Sequence, residues 1–377
     1  LKVVTVLGTR PEIIRLSVII KKFDEFFDHT LVHTGQNYDY TLNEIFFEEL
    51  KIRKPDFFLE VVGQDLGETM GNVLSKSYKL FSELKPNALL VLGDTNSALC
   101  TISAKRLKIP IFHMEAGNRC FDQNVPEELN RKIADHTSDI NLTYTENSRR
   151  YLLAEGFRKD HVFCVGSPLK EVLDFYSDKI KASLILDKLQ LNKEKYIVAS
   201  IHREENLDIG DNFKNIIDAL NKVVDLYDAK LIFSTHPRTK KKIEQLNLKV
   251  SSRISFVAPL GFCDYVFLQK NALITLSDSG TISEESTILG FKALSIRTST
   301  ERPEVIDHGN IILGGITTEN IINSINITLG LNDRSDQPLE YLKTDNSNTI
   351  LKLIQSYTPI INRETWRDNF VSNRNIY

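Results

Sequence analysis

Three carboxylates between residues 94 and 127 stand where regular elements begin or end. Asp94 closes the apolar run Ala88-Leu-Leu-Val-Leu-Gly93, and Glu115 closes Ile109-Pro-Ile-Phe-His-Met114. Glu127 follows Pro126 at the expected first turn of a helix. An unpaired carboxylate at the end of a buried strand costs too much to be core support. In an open parallel sheet, ligands bind beyond the carboxyl ends of the strands. Three acids gathered at such an edge point to proton-transfer chemistry.

Other short segments supply groups suited to an anion. Gly8-Thr-Arg-Pro-Glu12 reads as the turn from the first strand into the first helix, where Arg10 adds a positive charge to a helix N-terminus. The other reading is a plain turn with a surface arginine. The segment is not GxGxxG, so no dinucleotide cofactor is indicated. In the second half, Leu276-Ser-Asp-Ser-Gly-Thr-Ile-Ser-Glu-Glu285 ends a strand and opens a helix. Ser277, Ser279 and Gly280 there suit a phosphate. The following Glu284 and Glu285 suit a ribose diol; N-capping explains the serines without explaining the paired acids. His202, in Ser200-Ile-His-Arg-Glu-Glu-Asn206, fits a phosphate contact, proton transfer or a structural role alike. In Ser234-Thr-His-Pro-Arg238 a loop histidine and a surface arginine are the better reading. Arg302, in Thr300-Glu-Arg-Pro-Glu304, reads as a further phosphate-site cation or one half of a surface ion pair.

These residues need strand ends to carry them. Short apolar, β-branched runs alternate with longer amphipathic stretches, as in parallel sheets with helical crossovers. The first half offers strands at 2–7, 30–34, 88–92, 109–114, 140–144 and 162–165, with helices at 11–27, at 68–84 and after Pro126. The second offers strands at 196–201, 230–234, 254–258, 272–276 and 293–296, with helices at 212–227 and 281–290. The expected architecture is α/β, with two doubly wound, Rossmann-like domains facing across a cleft. Residues 1–168 form the first, 169–190 a connecting helix and 191–357 the second, while a helix over 358–377 packs back on the first.

A chain of 377 residues exceeds one compact core, in keeping with two domains. With 26% charged residues and a net charge of −3, nothing global argues for nucleic acid or an anionic membrane as a partner. No apolar run approaches the ~18 residues of a spanning helix. The first residues enter a strand at once, so no signal peptide and a cytoplasmic location are expected. Four cysteines, Cys100, Cys120, Cys164 and Cys263, lack CxxC spacing and read as reduced thiols. The eight histidines form no HxxxH or HExxH pattern. His113-Met-Glu115 offers two ligands without a third, so no metal is expected.

Taken in order, Gly-Thr-Arg-Pro-Glu at 8–12, Gly-Asp-Thr at 93–95, His-Met-Glu-Ala-Gly at 113–117, Pro-Glu-Glu-x-Asn-Arg at 126–131, His-Arg at 202–203, Ser-Asp-Ser-Gly at 277–280 and Thr-Glu-Arg-Pro-Glu at 300–304 resemble the UDP-N-acetylglucosamine 2-epimerase family. That resemblance spans most of the chain and implies the GT-B architecture, a UDP-sugar substrate, a homodimer and no cofactor. It implies that Asp94, Glu115, Glu127 and His202 are catalytic. Ser279, Gly280, Thr281, Glu285 and Arg302 would hold the diphosphate and ribose, Tyr265 would stack on uracil, and Arg10 and Arg15 would line the nucleotide site. The C2 hydrogen of a UDP-sugar has no neighbouring carbonyl to acidify it. The family's route therefore eliminates UDP across C1–C2 to a 2-acetamidoglycal, then adds UDP back with a proton on the opposite face of C2. Such a route needs acid–base groups for two faces and a hold on unbonded UDP.

Several positions depart from the family pattern. His-Arg-Arg-Glu is His202-Arg-Glu-Glu205, Ser-Gly-Gly is Ser279-Gly-Thr281, and a common lysine is Arg15. The segment before Tyr265 reads Pro259-Leu-Gly-Phe-Cys-Asp, and the loop from Gly117 to Glu127 looks shorter than in UDP-GlcNAc enzymes. These features resemble the subgroup that converts UDP-2-acetamido-2,6-dideoxy-L-talose to UDP-N-acetyl-L-fucosamine for capsule or O-antigen synthesis. The competing readings are a UDP-GlcNAc/UDP-ManNAc 2-epimerase, hydrolysing or not, a GT-B glycosyltransferase and a catalytically silent UDP-sugar sensor. A transferase has no use for three acids at the first domain's edge, and a sensor has no need to retain all four catalytic positions.

Overall fold

The structure is a computed structural model that describes residues 1–35, 44–235, 237–331 and 336–367. His236 and the end of the expected helix 358–377 lie outside the described residues. The chain forms two compact units, one comprising Leu1–Phe175 and the return segment from Glu340, the other Tyr176–Leu339.

In unit 1 the strands are β1 (Lys2–Leu7), β2 (Asp28–His33), β3 (Phe57–Phe58), β4 (Ala88–Leu92), β5 (Ile111–Met114), β6 (Ile140–Thr143) and β7 (Val162–Cys164). They make one parallel sheet in the order β3-β2-β1-β4-β5-β6-β7. All five residues of β4 are buried, as a central strand covered on both faces requires. Val4, Val6, Val32, Leu89, Val91 and Ile111 pack with Val73, Leu80 and Phe81 of the helix Leu66–Leu84.

Unit 2 repeats the scheme with β8 (Tyr196–Ser200), β9 (Lys230–Ser234), β10 (Ile254–Val257), β11 (Ile274–Ser277), β12 (Ala293–Ser295) and β13 (Ile312–Leu313). The order is β10-β9-β8-β11-β12-β13, again all parallel. Phe213, Ile216, Leu220 and Val223 of the helix Asn212–Leu226 face Ile197, Ala199, Leu231 and Phe233 in its core. The expectation of two doubly wound parallel sheets holds. In each unit the winding reverses at one place, between β1 and β4 and between β8 and β11, and such switch points leave a crevice beyond the strand ends.

The differences from the sequence expectation are local. β3 and β13 have two residues each, too few to show a period, and sequence patterning missed both. β5 starts at Ile111 rather than 109, because Pro110 has no N–H and joins the sheet only through its carbonyl, which accepts from Leu89 N–H at 2.9 Å. The segment 169–190, expected as one connecting helix, contains three, Leu169–Phe175, Ser177–Lys181 and Ile185–Lys188, and the units divide after the first. The chain rejoins unit 1 at Glu340, earlier than 358. There the Glu340 carbonyl accepts from Ser167 N–H at 3.4 Å, Asn346 Nδ2 donates to Val165 O at 2.8 Å, and Glu171 accepts from the Ser347 N–H and hydroxyl. The helix Asn346–Ile361 then packs on the helix Arg10–Phe26.

Candidate active site

At the unit 1 switch point the first turn is built around Glu12. Its Oε2 accepts from the Gly8 N–H at 2.8 Å, the Thr9 N–H at 2.7 Å and the Thr9 hydroxyl at 2.9 Å, and its Oε1 accepts from the Thr95 hydroxyl at 2.9 Å. One buried carboxylate thus ties the turn after β1 to the turn after β4. Burial raises its pKa from 4.5 to about 7, against the opposing pull of those donors. Arg10, half-buried, lies over the Phe46 ring at 5.9 Å. Arg15, one helical turn further on, is buried with its guanidinium 5.4 Å from the Tyr144 ring centroid and Nη1 2.6 Å from Glu115 Oε2.

Asp94 and Glu115, apart in sequence, are neighbours at this edge. A methyl group built on Gly93 would sit 3.8 Å from Glu115 Oε2, so the Glu115 carboxylate lies against the turn that carries Asp94. Glu115 holds a left-handed backbone, with φ of +63°, where a residue bearing a Cβ is strained. Asp94 Oδ2 accepts from Arg131 Nε at 3.1 Å and from Nη2 at 2.5 Å. Arg131 Nη1 donates to Glu128 at 2.8 Å, and Glu128 also accepts from the Cys120 and Phe121 N–H groups at 3.1 and 3.3 Å. The loop between Gly117 and Glu127 is therefore pinned by the same helix, Glu127–Thr137, that holds Asp94. Glu127 opens that helix and is half-buried.

At the unit 2 switch point, Asp278 organises the turn after β8. Fully buried, it accepts from the N–H groups of His202 at 3.0 Å and Arg203 at 2.9 Å and from Asn206 Nδ2 at 3.0 Å. His202 Nδ1 lies 3.1 Å from its Oδ1. Burial opposes its charge, but His202 and these donors outweigh burial and hold its pKa below the usual carboxylate value. With Nδ1 directed to Asp278, Nε2 is the ring nitrogen left to meet a ligand.

The segment read from sequence as a phosphate cradle follows β11. Ser279 Oγ lies 3.0 Å from Thr281 Oγ1 and accepts from the Thr281 N–H at 3.3 Å. A Cβ on Gly280 would stand 2.2 Å from Glu301 Oε1. Glu301 in turn pairs with Arg297 at 2.8 Å and Arg203 at 3.8 Å. Of the two acids that follow, Glu284 is fully buried with Arg302 Nη2 at 3.4 Å, whereas Glu285 is half-buried and accepts from Gln269 Nε2 at 3.0 Å. Arg302 is thus a buried cation rather than one half of a surface pair. Tyr265, half-buried on the helix Phe262–Lys270, packs against the core cluster that includes Tyr196 and Leu268, as does Leu260.

Sequence reading assigned no role to Glu12, Glu128, Arg131 or Asp278. Glu12 had a visible signal, since Thr9-x-x-Glu12 is a capping box. The others depend on partners distant in the chain. Among the described residues, no group of His, Cys, Asp and Glu is arranged to hold a metal ion, and no helix is long and apolar enough to cross a membrane.

Residues 21–355 match the sequence profile of the family described as UDP-N-acetylglucosamine 2-epimerase. The structure of UDP-N-acetylglucosamine 2-epimerase from Rickettsia bellii is 46% identical, covering 97% of this chain and 99% of that one with a TM-score of 0.91. The Methanocaldococcus jannaschii UDP-GlcNAc 2-epimerase, solved in complex with UDP-GlcNAc and UDP, is 33% identical over 94% of this chain and 99% of that one, with a TM-score of 0.89. The Pseudomonas aeruginosa UDP-2,3-diacetamido-2,3-dideoxy-D-glucuronate 2-epimerase is 33% identical over 344 residues, 90% of this chain and 95% of its own.

Proposed function

This chain belongs to the UDP-N-acetylglucosamine 2-epimerase family of isomerases, and from that membership we propose that it inverts C2 of a UDP-N-acetylhexosamine without hydrolysis. The observation that carries the reading is the pair of carboxylates on neighbouring turns at the unit 1 switch point, Asp94 on Arg131 and Glu115 on Arg15. In the proposed reaction one carboxylate takes the C2 proton as the C1–O bond breaks, and that electron pair leaves with UDP. The products of this half are a 2-acetamidoglycal and bound UDP. In the return half a UDP oxygen re-forms the C1 bond while an acid delivers a proton to the other face of C2. No water is consumed. Asp94, Glu115 and Glu127 supply the acid–base groups, and His202, oriented by Asp278, stabilises or protonates the leaving diphosphate. Ser279, Gly280, Thr281 and Arg302 retain UDP, with Glu285 on the ribose, Tyr265 on the uracil and Arg10 and Arg15 completing the nucleotide site.

We propose UDP-2-acetamido-2,6-dideoxy-L-talose, converted to UDP-N-acetyl-L-fucosamine for capsule or O-antigen synthesis, as the substrate pair of a cytoplasmic homodimer. Support comes from the short loop between Gly117 and Glu127, the departures at Arg15, Glu204 and Thr281, and the naming of a 33%-identical relative for a different sugar. The names of the Rickettsia and Methanocaldococcus proteins favour UDP-GlcNAc, interconverted with its C2 epimer, as the second reading.

Incubation with each UDP-sugar in D2O, followed by NMR, tests both. Deuterium entering C2 with UDP still attached supports epimerisation, whereas free UDP rising in step with free sugar sinks it in favour of hydrolysis. The sugar with the highest kcat/KM identifies the substrate. Asp94→Asn, Glu115→Gln and Glu127→Gln should each abolish exchange while UDP binding persists.

A further inference from the structure

Behind the acidic edge lies a buried ionic chain that the proposed reaction does not use. His113, on β5 two residues before Glu115, is fully buried. Its Nε2 is 2.8 Å from the Gly93 carbonyl oxygen, and because a carbonyl only accepts, Nε2 carries a proton. Its Nδ1 is 2.9 Å from Asp135 Oδ1, within ion-pair range although the N–H is not aimed along the contact. Burial alone would lower the pKa of this ring; Asp135 and the Gly93 carbonyl outweigh burial and raise it. Asp135 also accepts from the Gly117 N–H at 3.1 and 3.2 Å and from Arg119 Nη1 at 2.7 Å. Arg119 donates to the Asn118 carbonyl at 2.7 Å and grips both oxygens of Glu155, at 2.8 and 2.7 Å. Positive and negative groups alternate along the chain, and each buried charge has an opposite neighbour.

The backbone groups held by this chain are those of the two catalytic turns. The Gly93 carbonyl belongs to the peptide unit that leads into Asp94, so rotation of that peptide would swing the Asp94 carboxylate. Gly117 N–H and Asn118 C=O lie just beyond Glu115. The turns are left-handed at Gly93 (φ +73°) and Gly117 (φ +79°), which glycine adopts freely, and at Glu115 (φ +63°), where the conformation persists only because surrounding contacts over-determine it. A histidine buried merely to fill the core would not need to tie the Gly93 turn to Asp135, the residue that holds the Gly117 turn.

We propose that His113 is a positioning residue for C2 chemistry, bridging the Gly93 carbonyl to Asp135 and thereby setting the placement of the Asp94 carboxylate relative to Glu115. This rests on the epimerase reading above, which assigns those two acids to catalysis. A misplacement of about 1 Å at reacting groups costs on the order of a hundredfold in rate.

Two amide substitutions separate the contacts of the ring. In His113→Gln the amide nitrogen takes the place of Nε2 and still donates to the Gly93 carbonyl. In His113→Asn it takes the place of Nδ1 and reaches Asp135 alone. His113→Asn should lower kcat for C2 exchange by about a hundredfold, with KM and UDP affinity unchanged. His113→Gln should recover about tenfold of that loss, the worth of one good hydrogen bond. Both should lower the thermal midpoint alike. Equal kcat in the two variants, or wild-type turnover in His113→Asn, overturns the proposal. A wild-type protein that exchanges no C2 hydrogen with any UDP-sugar overturns the epimerase reading instead. A crystal structure of unliganded His113→Asn decides the positioning role without substrate. The Asp94–Arg131 and Glu115–Arg15 separations of 2.5 and 2.6 Å should open, and unchanged separations reject it.

Discussion

Glu12 makes the stability of unit 1 depend on pH in a way that one substitution should remove. Its folded pKa is raised from 4.5 to about 7 by burial. Between those values the folded chain keeps a proton that the unfolded chain releases. The stabilising contribution of the protonated side chain is therefore complete below 4.5 and is lost as pH rises through about 7. That interval is about 2.5 pH units, and at about 1.4 kcal/mol per unit it amounts to about 3 kcal/mol. Glu12→Gln cannot titrate. Its amide oxygen can take the three donors now on Oε2, and its NH2 can donate to the Thr95 hydroxyl, which accepts as well as donates. The variant should match wild type near pH 5 and exceed it by about 2–3 kcal/mol at pH 8. Urea unfolding followed by the fluorescence of Trp366, the sole tryptophan and part of unit 1, measures the difference at each pH. A stability difference that stays flat from pH 5 to pH 8 refutes the reasoning, because Glu12 would then hold its ordinary pKa. So does a loss of about 3 kcal/mol at both values, because the donors would then require two carboxylate oxygens.

Other outcomes follow from the same contacts. Gly280→Ala places a Cβ 2.2 Å from Glu301 Oε1 and must displace that carboxylate from Arg297 and Arg203; calorimetry should show UDP affinity falling about tenfold, equal to about 1.4 kcal/mol, and the thermal midpoint should fall because the buried Arg297 charge loses its partner. Gly117→Ala meets the Ser148 carbonyl at 2.4 Å with φ at +79°, so urea unfolding should show a loss of about 3 kcal/mol. Asp278→Asn removes a carboxylate whose depressed pKa stabilises unit 2 above its ordinary 3.8 and ceases to do so as pH falls through the folded value. Thermal scans should therefore show a smaller loss of stability below pH 4 than in wild type, and kcat should fall because His202 loses its partner.

Much of this molecule is legible in its residue order, for reasons that differ from segment to segment. The long buried strands announce themselves because a central parallel strand must be apolar on both faces, as in Ala88–Leu92 and Tyr196–Ser200. The edge strands Phe57–Phe58 and Ile312–Leu313 do not, because two residues have no period. Residues 169–190 look like one polar helix, yet the chain breaks there into three short helices and passes between units after Phe175. Composition reports that a connection is polar without reporting where its contacts change sides. At the candidate site, Asp94, Glu115 and Ser279 stand out because they end strands, where neither a carboxylate nor a hydroxyl helps a core. Glu128 and Asp278 lie within recognisable motifs, but their work is done through main-chain N–H groups elsewhere in the chain, at Cys120 and Phe121 and at His202 and Arg203.

Sequence alone determined the chemical inventory and its order: two series of strands and helices, acids at the strand ends of the first, and small hydroxyl and glycine residues at a strand end of the second. These are local properties, set by period and by the cost of burying charge. Tertiary structure decided which charges meet. Arg15 reaches Glu115 across 100 residues and Arg131 reaches Asp94 across 37, because the order β1-β4-β5 brings those strand ends side by side. His113 reaches the Gly93 carbonyl only because its strand lies next to β4. An ion pair depends on distance in space, and the sheet order, which no local pattern encodes, sets that distance.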